Sequence, residues 1–187
     1  MRDPFNERKA TQAASRFLRL SNGRMNYMVL IKLIYLLDRE SLIRWGRPAV
    51  FDEYFSMHDG PVVSKIHELI TEMPWPEELN FWIQHISPPS NWDVRLIGDA
   101  GNDQLSEAEE KLIDELFAEY GHYDDPFKLV KRLHDELGEW MPVQRGQRAP
   151  ITIEQILLAG KKSAKEIRAI EEDLNELQLI HSFLSSR

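Results

Sequence analysis

The sequence predicts an α+β fold, predominantly helical: a single domain with a small antiparallel three-stranded sheet and a C-terminal helical extension. Three observations predict it. Helix punctuation recurs along the 187 residues, with stops at Ser21-Asn22-Gly23 and Gly46 and capping boxes at Ser106-Glu-Ala-Glu109 and Ser163-Ala-Lys-Glu166. Strand-like aromatic content is confined to three short runs, 51–57, 81–86 and 92–97. An apolar fraction of 42% supports a real core, and the length suits one domain with room for a terminal element.

From the N-terminus, a first helix is expected over 6–20, with Ala13, Ala14, Phe17, Leu18 and Leu20 as its apolar surface. The second runs over 26–45. From Tyr27 to Leu37 it is apolar almost all round, as a helix in the centre of a domain is, and from Asp38 it turns amphipathic. Arg47-Pro48 breaks it, a strand follows over 51–57, and Asp59-Gly60 marks a turn. Pro61 fits the first position of a third helix, reaching Glu72 and ended by Pro74 and Pro76. Two strands, 81–86 and 92–97, are expected to pair through Ser87-Pro-Pro-Ser-Asn91. A helix from Ser106 to Tyr120 comes next, then another from Asp125-Pro126 to Gly138. The divisions are a domain over 1–142, a linker over 143–150 and a helical extension over 151–187. In the extension Ile167, Ile170, Leu174 and Leu177 step by three and four, with His181 and Leu184 on the next steps. This stripe is too short for a coiled coil and suits docking on the domain or on a partner.

The net charge of −8 is unevenly spread. Residues 1–50 carry ten Lys/Arg against four Asp/Glu, and residues 51–140 carry six against twenty-one. So acidic a middle argues against general nucleic-acid binding, and the basic head (Arg8, Lys9, Arg16, Arg19, Arg24) reads first as a solvated face. With no cysteine, disulfides, thiolate zinc sites and cysteine nucleophiles are excluded. No run reaches the ~18 apolar residues of a membrane span and no secretory signal begins the chain, so the expected compartment is cytoplasmic.

Catalytic patterns do not emerge. His67-Glu68 lacks the second histidine of His-Glu-x-x-His, no Gly-x-Ser-x-Gly elbow occurs, and the nine glycines are scattered singly. No catalytic residue, metal or cofactor is expected. Asp38 shares a helical stripe with Ile34 and Leu42, so its carboxylate must be paired or hydrogen-bonded. A fold-locking buried acid is the favoured reading and a binding-site acid the other. Gly60-Pro61 reads first as a structural corner, and its N–H groups could also receive an anionic group from a partner.

Several pieces then stand in a telling order: Leu33 to Arg39, Trp45-Gly46-Arg47-Pro48, Phe51 to Met57, Gly60-Pro61-Val62, Leu105-Ser106 with Tyr120-Gly121, and Asp135-Glu136 leading to Trp140. This series, over about residues 10–142, resembles the Panacea domain of the SocA-like antitoxin family. It departs from the family pattern at Leu37 and Val63, and the tail from Ile151 has no counterpart in it. The resemblance implies a non-enzymatic antitoxin, phage-associated in some relatives, that binds and neutralises a co-encoded toxin, in some relatives as an adaptor to a protease. Expected partners are therefore a cognate toxin, a protease where the chain acts as adaptor, and a second copy in a homodimer. The candidate contacts are Asp38, Arg39, His58, Asp59, Gly60 and Pro61, with Ile167, Ile170, Leu174 and Leu177 of the tail. Rival readings are a DNA-binding autoregulator using the basic head and a hydrolase with an unrecognised site near His58 and His67.

Overall fold

The apolar run of the second helix organises the molecule. In the computed structural model, which describes residues 5–72 and 80–185, this helix (α2, Tyr27–Trp45) buries every residue from Val29 to Asp38. The Asn26 side chain accepts the Met28 N–H at its start, and Gly46, at φ +75°, closes its end by donating to the Leu42 carbonyl. α1 (Glu7–Leu20) packs against it and buries Ala10, Ala13, Ala14, Phe17 and Leu18 in the core. α5 (Glu107–Tyr120) lies against both, started by the expected capping box at Ser106. α6 (Pro126–Glu136) follows, with Asp125 as its cap and Pro126 at its first turn. The fold is α+β and mostly helical, as expected.

The three-stranded antiparallel sheet is present: the expected strand at 51–57 supplies its centre, its two outer strands come from segments not expected, and the expected strand at 92–97 pairs elsewhere. Its order is β3-β2-β5, from β2 (Tyr54–Met57), β3 (Gly60–Val63) and β5 (Ala149–Ile151). Tyr54 stands opposite Val63 on one side and Ile151 on the other. A second ribbon joins β1 (Arg24–Asn26) to β4 (Asp93–Arg95). Pro61 therefore lies in an edge strand, where a missing N–H is tolerated, and not at a helix start. The helix begins three residues later as α3 (Ser64–Thr71). The run 81–86 is also corrected: Phe81–His85 is a short helix, α4. Asn80 caps it by accepting the Ile83 N–H, Phe81 lies against the His85 ring, and buried Trp82 and Ile86 stand four apart on one face. Only Ile86 bridges to Leu96. The stretch read as a linker ends inside β5. Pro74 and Pro76 lie outside the described residues.

α7 (Ile153–Ala159) and α8 (Ala164–Ser185) form the C-terminal helices. Ile167 is buried, and Ile170 and Leu174 pack against the main core. A Cβ at Gly46 would lie 3.3 Å from Ile170 Cγ1, which seats this part of the stripe on the end of α2. Leu177 is 45% exposed, and the side chains of His181 and Leu184 lie outside the described residues. Among the described residues no helix is long and apolar enough to cross a membrane.

The charge asymmetry of the sequence is folded onto itself. Lys9 pairs with Glu109 at 2.7 Å, and Arg16 with Glu110 and Asp114, each at 2.7 Å. Arg8 meets Asp103 and Arg19 meets Asp99, both at 3.2 Å, while Arg24 bonds Asp93. The basic head is thus matched, residue by residue, by carboxylates of the acidic middle.

Candidate functional site

A polar stripe runs along the buried helix α2. Lys32, Tyr35 and Arg39 fall at helical spacing on one side, with Asp38 beside them, and each finds a partner from a distant segment.

The fully buried Asp38 carboxylate accepts from the N–H groups of Val50 (2.6 Å) and Asp52 (3.2 Å) and from the Tyr54 hydroxyl (2.9 Å). Burial pushes the carboxyl up to about 6 against the pull of these bonds. It fastens the 50–54 segment to α2. Asp52 repeats the device one step further. It accepts from Glu53 N–H (2.6 Å), Lys65 N–H (2.8 Å) and Ile66 N–H (3.1 Å), so it caps α3, whose own preceding residue Val63 supplies no side-chain cap. Burial pushes it up to about 7.

Glu139 forms the second node. One of its oxygens accepts both the Tyr35 hydroxyl (2.8 Å) and Arg39 Nε (2.6 Å), and its side chain is wholly buried. Arg39 also reaches Glu40 at 2.6 Å. The third node lies under the β2–β3 turn. Lys32 Nζ donates to the Pro61 carbonyl at 3.1 Å, and burial pushes its ammonium down to about 7 against the pull of Asp59. Gly60, at φ +96°, leaves room for this: a Cβ there would stand 3.2 Å from Lys32 Nζ and 3.5 Å from His134 Nε2. The His134 ring stacks on Trp140 at 3.6 Å, and Trp140 Nε1 donates to the Met57 carbonyl at 3.1 Å.

These nodes bring the Asp38-Arg39 helix end and the His58 to Pro61 turn onto one side of α2. They do not bring the tail stripe there, which docks at the end of α2. Asp38, Gly60, Pro61 and Ile167 are buried, Arg39, Asp59, Ile170 and Leu174 half-buried, and His58 and Leu177 exposed. Asp38 occupies the favoured position of a fold-locking acid. Sequence reasoning missed Asp52, Glu139, Lys32 and His134. Lys32 carries a signal, as the one charge inside an apolar run; Asp52 carries none, because a cap for a helix twelve residues on leaves no local mark. Among the described residues, no three His, Asp or Glu side chains converge as a metal would require.

The sequence landmarks are thus parts of one device: Tyr35 and Arg39 of the second helix meet the acid preceding Trp140, about 100 residues away. No curated protein and no solved structure matches the chain significantly. The family model described as antitoxin SocA-like, Panacea domain, matches residues 30–141, a span that opens inside α2 and closes just past Trp140 and so contains all three nodes. With more than half its length inside that match, the chain belongs to the SocA-like antitoxin family of Panacea domain proteins.

Proposed function

We propose that this protein neutralises a co-encoded toxin by binding it directly and without catalysis. The observation that carries the reading is the antitoxin family match over residues 30–141. The chemistry of that span supports it. Asp38, Asp52, Glu139 and Lys32 would attract a catalytic reading, yet each is buried and engaged with backbone or side-chain groups that shape the domain. The DNA-binding alternative loses support from the pairing of Arg8, Lys9, Arg16, Arg19 and Arg24 with carboxylates, because phosphate binding needs cations free to release counterions.

Of the candidate contacts, His58 and Asp59 at the β2–β3 turn and Leu177 in α8 reach the surface. Gly60 and Pro61 are buried members of that hairpin, Lys32 bonds it from beneath, and Asp38 fastens the segment that leads into it. The test is expression of the adjacent reading frame with and without this protein. The reading expects growth arrest from the neighbour alone, rescue on co-expression, and a stable complex on copurification. A harmless neighbour, or toxicity that persists in the complex, would overturn it. Rescue that disappears when cellular proteases are inactivated would mark the chain as an adaptor for proteolysis.

A further inference from the structure

Two locally unfavourable choices coincide on the β1–β4 ribbon. The tight turn that leads into β4 is Ser90-Asn91-Trp92-Asp93, closed by Ser90 N–H to the Asp93 carbonyl (2.8 Å) and Asp93 N–H to the Ser90 carbonyl (3.0 Å). Both central residues have positive φ, +51° at Asn91 and +68° at Trp92, the geometry of a type I′ turn. Asparagine suits the first place, whereas the second calls for glycine, and a bulky side chain there is an outlier. The fold accounts for the indole only in part. The Trp92 carbonyl accepts the Tyr27 N–H at 2.9 Å, a backbone bond that glycine or asparagine would make equally well. The ring rests on Tyr27 with centroids 5.8 Å apart, yet Trp92 is 66% exposed. The second choice lies beside it. Arg24 and Arg95 stand directly opposite each other across the ribbon, where like charges weaken strand pairing. Asp93 engages Arg24, while Arg95 makes no ion pair among the described residues.

We propose that this ribbon face is the contact surface for the neutralised partner, with Trp92 inserted in an apolar pocket whose rim offers a carboxylate to Arg95. The proposal rests on the neutralisation reading and adds to it the surface and the chemistry of the partner. Strain retained at an exposed aromatic points to function, and tryptophan and arginine are the residues that most often anchor protein interfaces. Charge selects the occupant. In a chain of net charge −8, the ribbon carries Arg24 and Arg95 against the single carboxylate of Asp93, and the turn that leads into it carries an exposed ring, so the complement of the two together is acidic and apolar. A second copy meeting it by two-fold symmetry would set Arg24 and Arg95 against themselves. A nucleic acid would need a track of free cations, and the neighbouring basic residues are already paired.

The test uses the full chain and the purified product of the adjacent reading frame. Trp92→Gly and Trp92→Asn suit the backbone geometry, so both are expected to melt within a few degrees of wild type. Their affinity for the partner should fall about thirtyfold or more, as for an interface hot spot. Arg95→Glu should weaken binding about tenfold and reduce its salt sensitivity. Wild-type affinity in a folded Trp92→Gly variant overturns the proposal and leaves the neutralisation reading standing. No binding by the wild-type chain removes that reading and the proposal with it. A wild-type dimer that Trp92→Gly converts to a monomer while neutralisation persists assigns the face to self-association and overturns the proposal. So does binding of an oligo-dT strand that Trp92→Gly abolishes without loss of partner affinity.

Discussion

Replacing Glu139 by alanine tests the clamp between α2 and the segment before Trp140. Glu139 is buried and holds the Tyr35 hydroxyl at 2.8 Å and Arg39 Nε at 2.6 Å on one oxygen. Its removal leaves a guanidinium, only 12% exposed, with Glu40 as its remaining carboxylate, and leaves the Tyr35 hydroxyl without its acceptor. Breaking a buried pair by deleting one member costs about 3–5 kcal/mol. That is a large share of the roughly 5–15 kcal/mol by which a domain is stable. For a chain of this length it corresponds to a fall in melting temperature of roughly 10 °C. Equilibrium urea denaturation gives the change directly, with an unchanged m-value indicating that the unfolded state is not the cause. The apolar triple variant Tyr35→Phe, Arg39→Met, Glu139→Leu removes every polar member at once. It should be more stable than Glu139→Ala alone, because no buried charge or hydroxyl is left unpaired. A loss below about 1 kcal/mol for Glu139→Ala, on the scale of an exposed ion pair, would refute the reasoning.

Asp52→Ala should cost about 2 kcal/mol as the loss of a helix cap, and hydrogen exchange should show reduced protection at the Lys65 and Ile66 amides. Unchanged protection there would remove Asp52 from that role. Gly60→Ala meets both an unfavourable φ of +96° and the Lys32 ammonium; a loss of about 1–3 kcal/mol is expected, and an unaltered melting temperature would contradict the tight approach. For Lys32 the sign follows from linkage. Its pKa is about 7 in the fold and about 10.4 in the unfolded chain, so between these values the native state binds fewer protons. Its contribution is present above the unfolded value and is lost as pH falls through 7, so wild-type stability should climb between pH 7 and pH 9 relative to Lys32→Met. Lys32→Met should be at least as stable as wild type at pH 7, and parallel stability profiles for the two proteins would show that Lys32 remains charged throughout.

The helices were legible because their signals are local. The near-continuous apolar run of α2, the boxes at Ser106 and Ser163, and the Asp125-Pro126 entry each lie within one or two turns of what they specify. The sheet was less legible for the opposite reason. β1 and β5 are three residues each and carry no alternation to detect, so only their pairing with β4 and β2 makes them strands. Phe81–His85 has the aromatic content of a strand, and its helical character depends on Asn80 and on burial of Trp82. Gly60-Pro61 follows the rule for a helix entry, yet it is held in an edge strand by pairing with β2 and by Lys32 from beneath. At the site, the awkward acid at Asp38 could be foreseen from its helical stripe. Its donors could not, because they come from the backbone at Val50 and Asp52 and the hydroxyl of Tyr54. The same holds for Glu139, whose partners lie about 100 residues away. The tail stripe split in two: Ile167 to Leu174 serves the domain, and Leu177 faces outward.

The central claim is neutralisation by binding alone, and a stoichiometric titration tests it most directly. Activity of the adjacent frame's product is measured against increasing amounts of this protein at concentrations well above their dissociation constant. The account predicts a linear loss of activity that ends at a fixed ratio of about one chain per toxin. Complete neutralisation at about a hundredth of an equivalent, growing with time, would reveal turnover and contradict it.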